Sequence, residues 1–139
     1  MTEPSNLPRR SPYRTLETAA FWDACAEGRL VVPRCDECGE RFWYPRLVCP
    51  RCGSAAVTFV EVSGRGIVYA CTIMRRGDGP FRDVAPYVLA FVQLDEGPTL
   101  MTNIVGADPE AVAIGQAVRV VFDRVADSAD AVPRFTPVG

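Results

Sequence analysis

Hydrophobic positions change their spacing twice along the chain. Over residues 15–28, Leu16, Ala19, Ala20, Phe21, Ala24 and Cys25 recur at three- and four-residue offsets, with Trp22 beside the same stripe. That spacing gathers them on one face of a helix. Thr15 is a suitable N-cap, Glu17 puts negative charge in the first turn and Gly28 supplies a stop. Over residues 29–62 the pattern shortens to LVVPRC, RFWYP and AVTFVEV, stretches that predict short strands. From residue 63 onward the runs lengthen, to 67–75, 87–94, 99–105 and 117–125. They are divided by RRGDGPFRD, DEGP and VGADPEAVAIGQ, each rich in turn formers. Within the last divider, Asp108 as cap, Pro109 at the first helical position and Gly115 at the end predict a short helix. A final run at 132–138, VPRFTPV, is broken by prolines and reads as an edge strand.

These elements predict a mainly β protein in four parts. They are an extended arm at 1–14, an N-terminal helix at 15–28, a small cysteine-bearing unit at 29–62 and a larger β unit at 63–139. Five strands with one short helix before the fourth is the element order of an OB-type barrel.

Composition narrows the chemistry. The 139 residues include no histidine and no lysine, so all fifteen basic residues are arginine, and there are six cysteines. A histidine base, a Ser-His or Cys-His nucleophile pair, a Schiff-base lysine and a phosphate-loop lysine are therefore excluded. A net charge of -2 gives no long-range attraction for a phosphate backbone. No apolar run approaches the ~20 residues of a membrane span, and the N-terminal residues lack the hydrophobic stretch of a secretory signal. The expected location is the cytoplasm, where cysteines serve as thiols or metal ligands before disulfides.

The strongest chemical signal is Cys35-Asp36-Glu37-Cys38-Gly39 followed by Cys49-Pro50-Arg51-Cys52-Gly53, with ten residues between Cys38 and Cys49. Each two-residue spacer lets one tight turn aim both sulfurs at the same ion, and Cys35, Cys38, Cys49 and Cys52 make a complete tetrahedral set. The glycine after each pair can take the positive φ that turns backbone amides toward the sulfurs. Such a site is coordinatively closed and structural, with Zn²⁺ the expected ion and iron the competitor. Arg34, Arg41, Arg46 and Arg51 can offset the charge of four thiolates. Cys25, on the helix, and Cys71, in IVYACTIM, read as small buried hydrophobes.

Taken in order, FWDACAEGRL, VVPRCDECGERFWYPRLVCPRCGS, VEVSGRGIVYACTIMR, PYVLAFVQLDEGPTLMTNIVG, IGQAVRVVF and PRFTPV resemble the DUF35 family. In that family a rubredoxin-like zinc ribbon precedes an OB-fold. The resemblance implies an accessory subunit, not catalytic alone, bound to a thiolase-like enzyme (thiolase, acyltransferase or aldolase) that acts on acyl-CoA thioesters. It extends to an aldolase that shortens steroid side chains as CoA esters. On this reading Phe21, Trp22 and Trp43 are candidate interface residues, with acyl-CoA at the shared interface. Strand alternation would send Trp43 to the side opposite Phe42 and Tyr44. The same three aromatics read equally well as core, and Arg75, Arg76 and Arg82 form a basic loop that could approach a CoA phosphate or stay solvated. The alternative is a module for single-stranded nucleic acid, against which the net charge argues.

Overall fold

A computed structural model describes residues 5–139. Residues 1–4 of the expected arm lie outside the described residues. Among the rest are one helix, α1 (Ala19–Ala26), and the strands β1 (Val31–Cys35), β2 (Val57–Glu61), β3 (Arg65–Met74), β4 (Tyr87–Leu94), β5 (Thr99–Ile104), β6 (Ala117–Arg124) and β7 (Ala131–Pro137). β1 and β2 pair antiparallel as a two-stranded sheet, and the others close into a barrel in the order β3-β4-β5-β7-β6. The fold is therefore mainly β, with one N-terminal helix, a four-cysteine cluster and a five-stranded barrel.

Period-2 alternation builds the barrel core. On β4, Val88, Ala90, Val92 and Leu94 point inward while Phe91 faces out. On β5 the inward set is Leu100, Thr102 and Ile104. Phe135 of β7 is fully buried among them, and burial of such a side chain contributes roughly 1.5–3 kcal/mol. A bulge on β3 between Val68 and Ala70 adds Tyr69 as an extra, exposed residue. The same hydrophobic cluster runs on into Leu30, Val31, Val32 and Val62 of the cysteine-bearing unit and Phe21, Ala24 and Cys25 of α1. α1 packs against β1, β6 and β7, so helix, ribbon and barrel share one core.

Residues 5–8 run over the outer face of β6 and β7. Leu7 packs there with Val105 and Val121. Beside it lies a buried ion pair, Arg134 Nε to Asp123 Oδ2 at 3.4 Å, each side chain 4% exposed. Ser5 completes the pair, its N–H and hydroxyl both donating to the Asp123 carboxylate. Arg134 in turn donates to Ser5 Oγ at 3.2 Å and to the Pro8 carbonyl.

Several local expectations are corrected. The helix is shorter than 15–28, because residues 16–18 form a turn. Thr15 still caps that turn: its Oγ1 accepts from Thr18 N–H at 3.2 Å while Thr18 Oγ1 accepts from Thr15 N–H at 3.0 Å, a reciprocal arrangement like a capping box. The short helix expected after Asp108 is a single 3-10 turn, Pro109–Ala111. Asp108 does accept from Glu110 N–H, but Val112 is already extended, and one turn cannot repay helix nucleation. RFWYP is not a strand; it holds one isolated bridge, Arg34↔Arg41. Finally, β7 is no edge strand. It is laddered to β6 along its full length and closes the barrel against β5 through one parallel pair, Ile104↔Phe135.

Candidate metal centre and the adjoining groove

The cysteine spacing folds into two matching knuckles. In the first, at the end of β1, Cys35 N–H donates to the Glu40 carbonyl at 2.8 Å and Gly39 N–H to the Cys35 carbonyl at 2.9 Å. In the second, Cys49 N–H donates to the Ser54 carbonyl at 2.8 Å and Gly53 N–H to the Cys49 carbonyl at 2.9 Å. Each turn closes on a glycine of positive φ, 79° at Gly39 and 77° at Gly53, a conformation that a side chain would strain. Backbone amides turn toward the sulfurs, Cys38 N–H to Cys35 Sγ at 3.5 Å and Arg51 N–H to Cys49 Sγ at 3.3 Å.

The four sulfurs lie within 4.8 Å of one another, with Cys35 and Cys52 at 3.6 Å and Cys38 and Cys49 at 3.6 Å. Thiolates at about 2.3 Å from a tetrahedral ion sit about 3.8 Å apart. The donor set therefore fits a four-thiolate structural metal and leaves no open coordination position. Cys35 and Cys49 are buried and Cys38 and Cys52 exposed.

Thiols this close cannot all ionise without a cation between them. The Cys38 N–H draws the Cys35 thiol down to about 7. Cys49 is also lowered, the amides of Cys52 and Arg51 outweighing its burial. Cys52 moves the other way, to about 12: an amide from Ser54 favours its thiolate, but proton sharing with Cys35 and its other neighbours prevails. Cys38 is raised for the same reason, against an amide from Glu40. A bound cation removes this competition by favouring every thiolate.

The nearby arginines are engaged by acids as well as by the cluster. Arg34 pairs with Asp36 at 3.0 Å and Arg51 with Glu40 at 2.9 Å. Arg75, in the loop considered for a CoA phosphate, pairs with Glu110 at 2.8 Å. Cys25 is fully buried, and burial pushes its thiol up to about 12. Cys71 is half-buried on the barrel core.

The three aromatic candidates come together. Phe21 is buried, with its ring 4.9 Å from Trp22 and 4.8 Å from Trp43, both edge-on. Trp43 also meets Tyr44 edge-on at 5.4 Å, so the alternation expected for Phe42-Trp43-Tyr44 is absent, as follows from the lack of a strand there. Phe42 is buried and Tyr44 half-exposed. Trp22, Trp43 and Tyr44 form one wall of a groove of about 290 Å³, and β5 and β7 form the other through Met101, Asn103 and Pro133. The last three were missed in the sequence. No motif in the sequence singles them out.

Two family models match consecutive parts of the chain. Residues 22–58 match the family model described as ChsH2, rubredoxin-like zinc ribbon domain, and residues 59–123 the model described as ChsH2, C-terminal OB-fold domain. A DUF35 domain-containing scaffold protein of Methanothermobacter thermautotrophicus is 33% identical, over 82% of this chain and 87% of its own. The 3-oxo-4,17-pregnadiene-20-carboxyl-CoA hydratase alpha subunit of Mycobacterium tuberculosis is 33% identical over 86% of this chain, which spans only 37% of that longer protein. Among solved structures, a chain of the Ltp2-ChsH2(DUF35) aldolase superposes with a TM-score of 0.81 and 35% identity, covering 91% of this chain and 98% of that one.

Proposed function

This chain belongs to the DUF35 family of zinc-ribbon and OB-fold proteins, and we propose from that premise that it is an accessory subunit of a thiolase-like enzyme acting on acyl-CoA thioesters. It binds, stabilises and activates that enzyme, and the partner carries the reacting groups. The observation that carries this reading is the likeness, over 91% of the chain, to a chain of the Ltp2-ChsH2(DUF35) aldolase. The chain's own inventory supports it: no histidine, no lysine and a closed four-thiolate set leave no histidine base, no amine nucleophile and no open metal position. Within the acyl-CoA class, the favoured reaction is retro-aldol cleavage of a steroid side-chain CoA ester. The names of the aldolase and of the steroid-CoA hydratase subunit support that choice.

The ion is Zn²⁺, held by Cys35, Cys38, Cys49 and Cys52 in the reducing cytoplasm. When bound it supplies folding energy and no chemistry. Elemental analysis of the purified protein should return one zinc per chain and a colourless solution; the visible absorption of ferric tetrathiolate would replace zinc with iron. The functional test is co-expression with the Ltp2 subunit of the aldolase. The expected outcome is a stable hetero-oligomer that cleaves the steroid CoA ester, with this chain alone inactive. An Ltp2 subunit equally stable and active without this chain refutes the accessory role.

A further inference from the structure

The four-thiolate cluster is divided by exposure, and the division runs across its two knuckles. Cys35 and Cys49, the first cysteine of each knuckle, are buried, and Cys38 and Cys52, the second of each, are exposed. Exposed Cys52 has its sulfur 3.6 Å from that of buried Cys35, and exposed Cys38 has its sulfur 3.6 Å from that of buried Cys49. Each exposed cysteine therefore has a buried partner from the opposite knuckle, and the two pairs share no sulfur. An accessible thiolate with a second thiol beside it is the arrangement that an oxidant turns into a disulfide. A bond of about 2.05 Å requires the sulfurs of each pair, now at 3.6 Å, to approach by about 1.5 Å, divided between two side chains. Cys25 and Cys71 stand outside the cluster and compete with neither pair.

We propose that this cluster is a peroxide-responsive site that exchanges its bound ion for two disulfides, Cys35 to Cys52 and Cys38 to Cys49, and keeps the ribbon folded. The thiolate of Cys38 or Cys52 attacks one oxygen of hydrogen peroxide; the O–O bond breaks, hydroxide leaves and a sulfenic acid forms. The buried partner thiolate then attacks that sulfur, displaces a second hydroxide and closes the disulfide. Each pair gives up two electrons to one peroxide, so the four thiolates reduce two peroxides and yield four hydroxides for each ion released. A disulfide no longer holds the ion, because the ligand is the thiolate. The fold survives for a topological reason. Both bridges join one knuckle to the other, as the ion does, and the loop from Cys38 to Cys49 nests inside the loop from Cys35 to Cys52. These two closures constrain the segment in the metal's place. A bridge inside one knuckle would close only a two-residue spacer and leave the knuckles free of each other. Trp43 lies within the inner loop, so it stays against Phe21, whose ring is 4.8 Å away. The inference rests on the metal reading of the four sulfurs and is independent of the accessory role.

The test uses the full chain loaded with zinc and treated with hydrogen peroxide in the absence of reductant. A chromogenic chelator should report the loss of one zinc per chain for every two peroxides consumed, as the four thiolates require. Peptide mapping without reduction should find Cys35 joined to Cys52 and Cys38 joined to Cys49. Tryptophan fluorescence should stay where it is in the loaded protein. Chelation of the reduced protein, which leaves nothing joining the knuckles, should shift it to the red. Dithiothreitol followed by zinc should restore the metal content. Zinc retained in excess peroxide overturns the proposal, and so does oxidation that runs on to sulfinic acid without a disulfide. Bridges within one knuckle, or to Cys25 or Cys71, overturn it as well, as does a red shift on oxidation equal to that of chelation. A reduced chain that takes up no zinc overturns the metal reading with it, and the accessory role stands or falls separately.

Discussion

Asp123→Ala tests whether the N-terminal segment is held by charge buried inside the protein. Asp123 and Arg134 are each 4% exposed and lie 3.4 Å apart. Removing the carboxylate leaves the guanidinium with only Ser5 Oγ and the Pro8 carbonyl, two neutral acceptors. Burial already presses Arg134 toward its uncharged form, against the attraction of Asp123. Breaking one side of such a pair costs about 3–5 kcal/mol. With an unfolding entropy of about 2.1 cal/mol/K per residue, a chain of this size loses about 10–17 °C in Tm. Thermal denaturation followed by circular dichroism of the metal-loaded protein at neutral pH measures the loss. Tryptic cleavage after Arg9 and Arg10 should quicken in parallel, because Ser5 loses both of its bonds to Asp123. The double change Asp123→Ala with Arg134→Leu removes the stranded charge and should recover most of the loss. A single-variant shift below about 3 °C, or a double variant less stable than the single, refutes the reasoning.

Three further outcomes are expected. Cys49→Ser leaves three thiolates, so the metal should be lost and, with it, the order of the segment between Cys35 and Val57, which no helix and only one bridge supports. Trp43 then leaves Phe21, and a red shift in tryptophan fluorescence reports it. Cys25 should not react with a thiol reagent at pH 8 while the protein is folded, its thiol being pushed up to about 12 by burial, and should react at once in denaturant. Asp130 is held below the usual carboxylate range by hydrogen bonding to Arg14, at 2.6 Å. The contact therefore stabilises the fold above a pH of about 3.9, the unfolded carboxylate value, and the contribution fades as pH falls through the lower folded value. Urea midpoints across that range should show a shallower acid loss for Asp130→Asn than for the parent.

Much of this protein was legible before folding was considered, and the part that was not has physical causes. The knuckles were readable because tetrahedral chemistry dictates both the spacing and the following glycine. The long strands were readable because alternation is strongest where one face is core, as on β4. RFWYP misled because Trp43 packs against Phe21 of α1 and Tyr44 against Trp43, in a segment held by one bridge, where pleating has no role. VPRFTPV misled for a subtler reason. Its prolines do mark a side with few ladder bonds, but that side closes the barrel against β5 through one pair, and the opposite side carries a full ladder to β6. The buried Asp123 and Arg134 were invisible, since nothing local tells a charged residue on a strand that an arm from the far end of the chain will cover it.

That last strand also governs the order in which the molecule can assemble during synthesis. The knuckles span only residues 35–52, and β1 finds its partner in β2, so the ribbon is complete once residue 61 has left the ribosome. The barrel has to wait, because Phe135, the ladder to β6 and the anchor for residues 5–8 all arrive with the final strand. Contacts between residues so far apart carry the largest loop-closure cost and form late. A nascent chain halted at residue 130 is therefore expected to hold metal yet stay protease-sensitive from β3 onward.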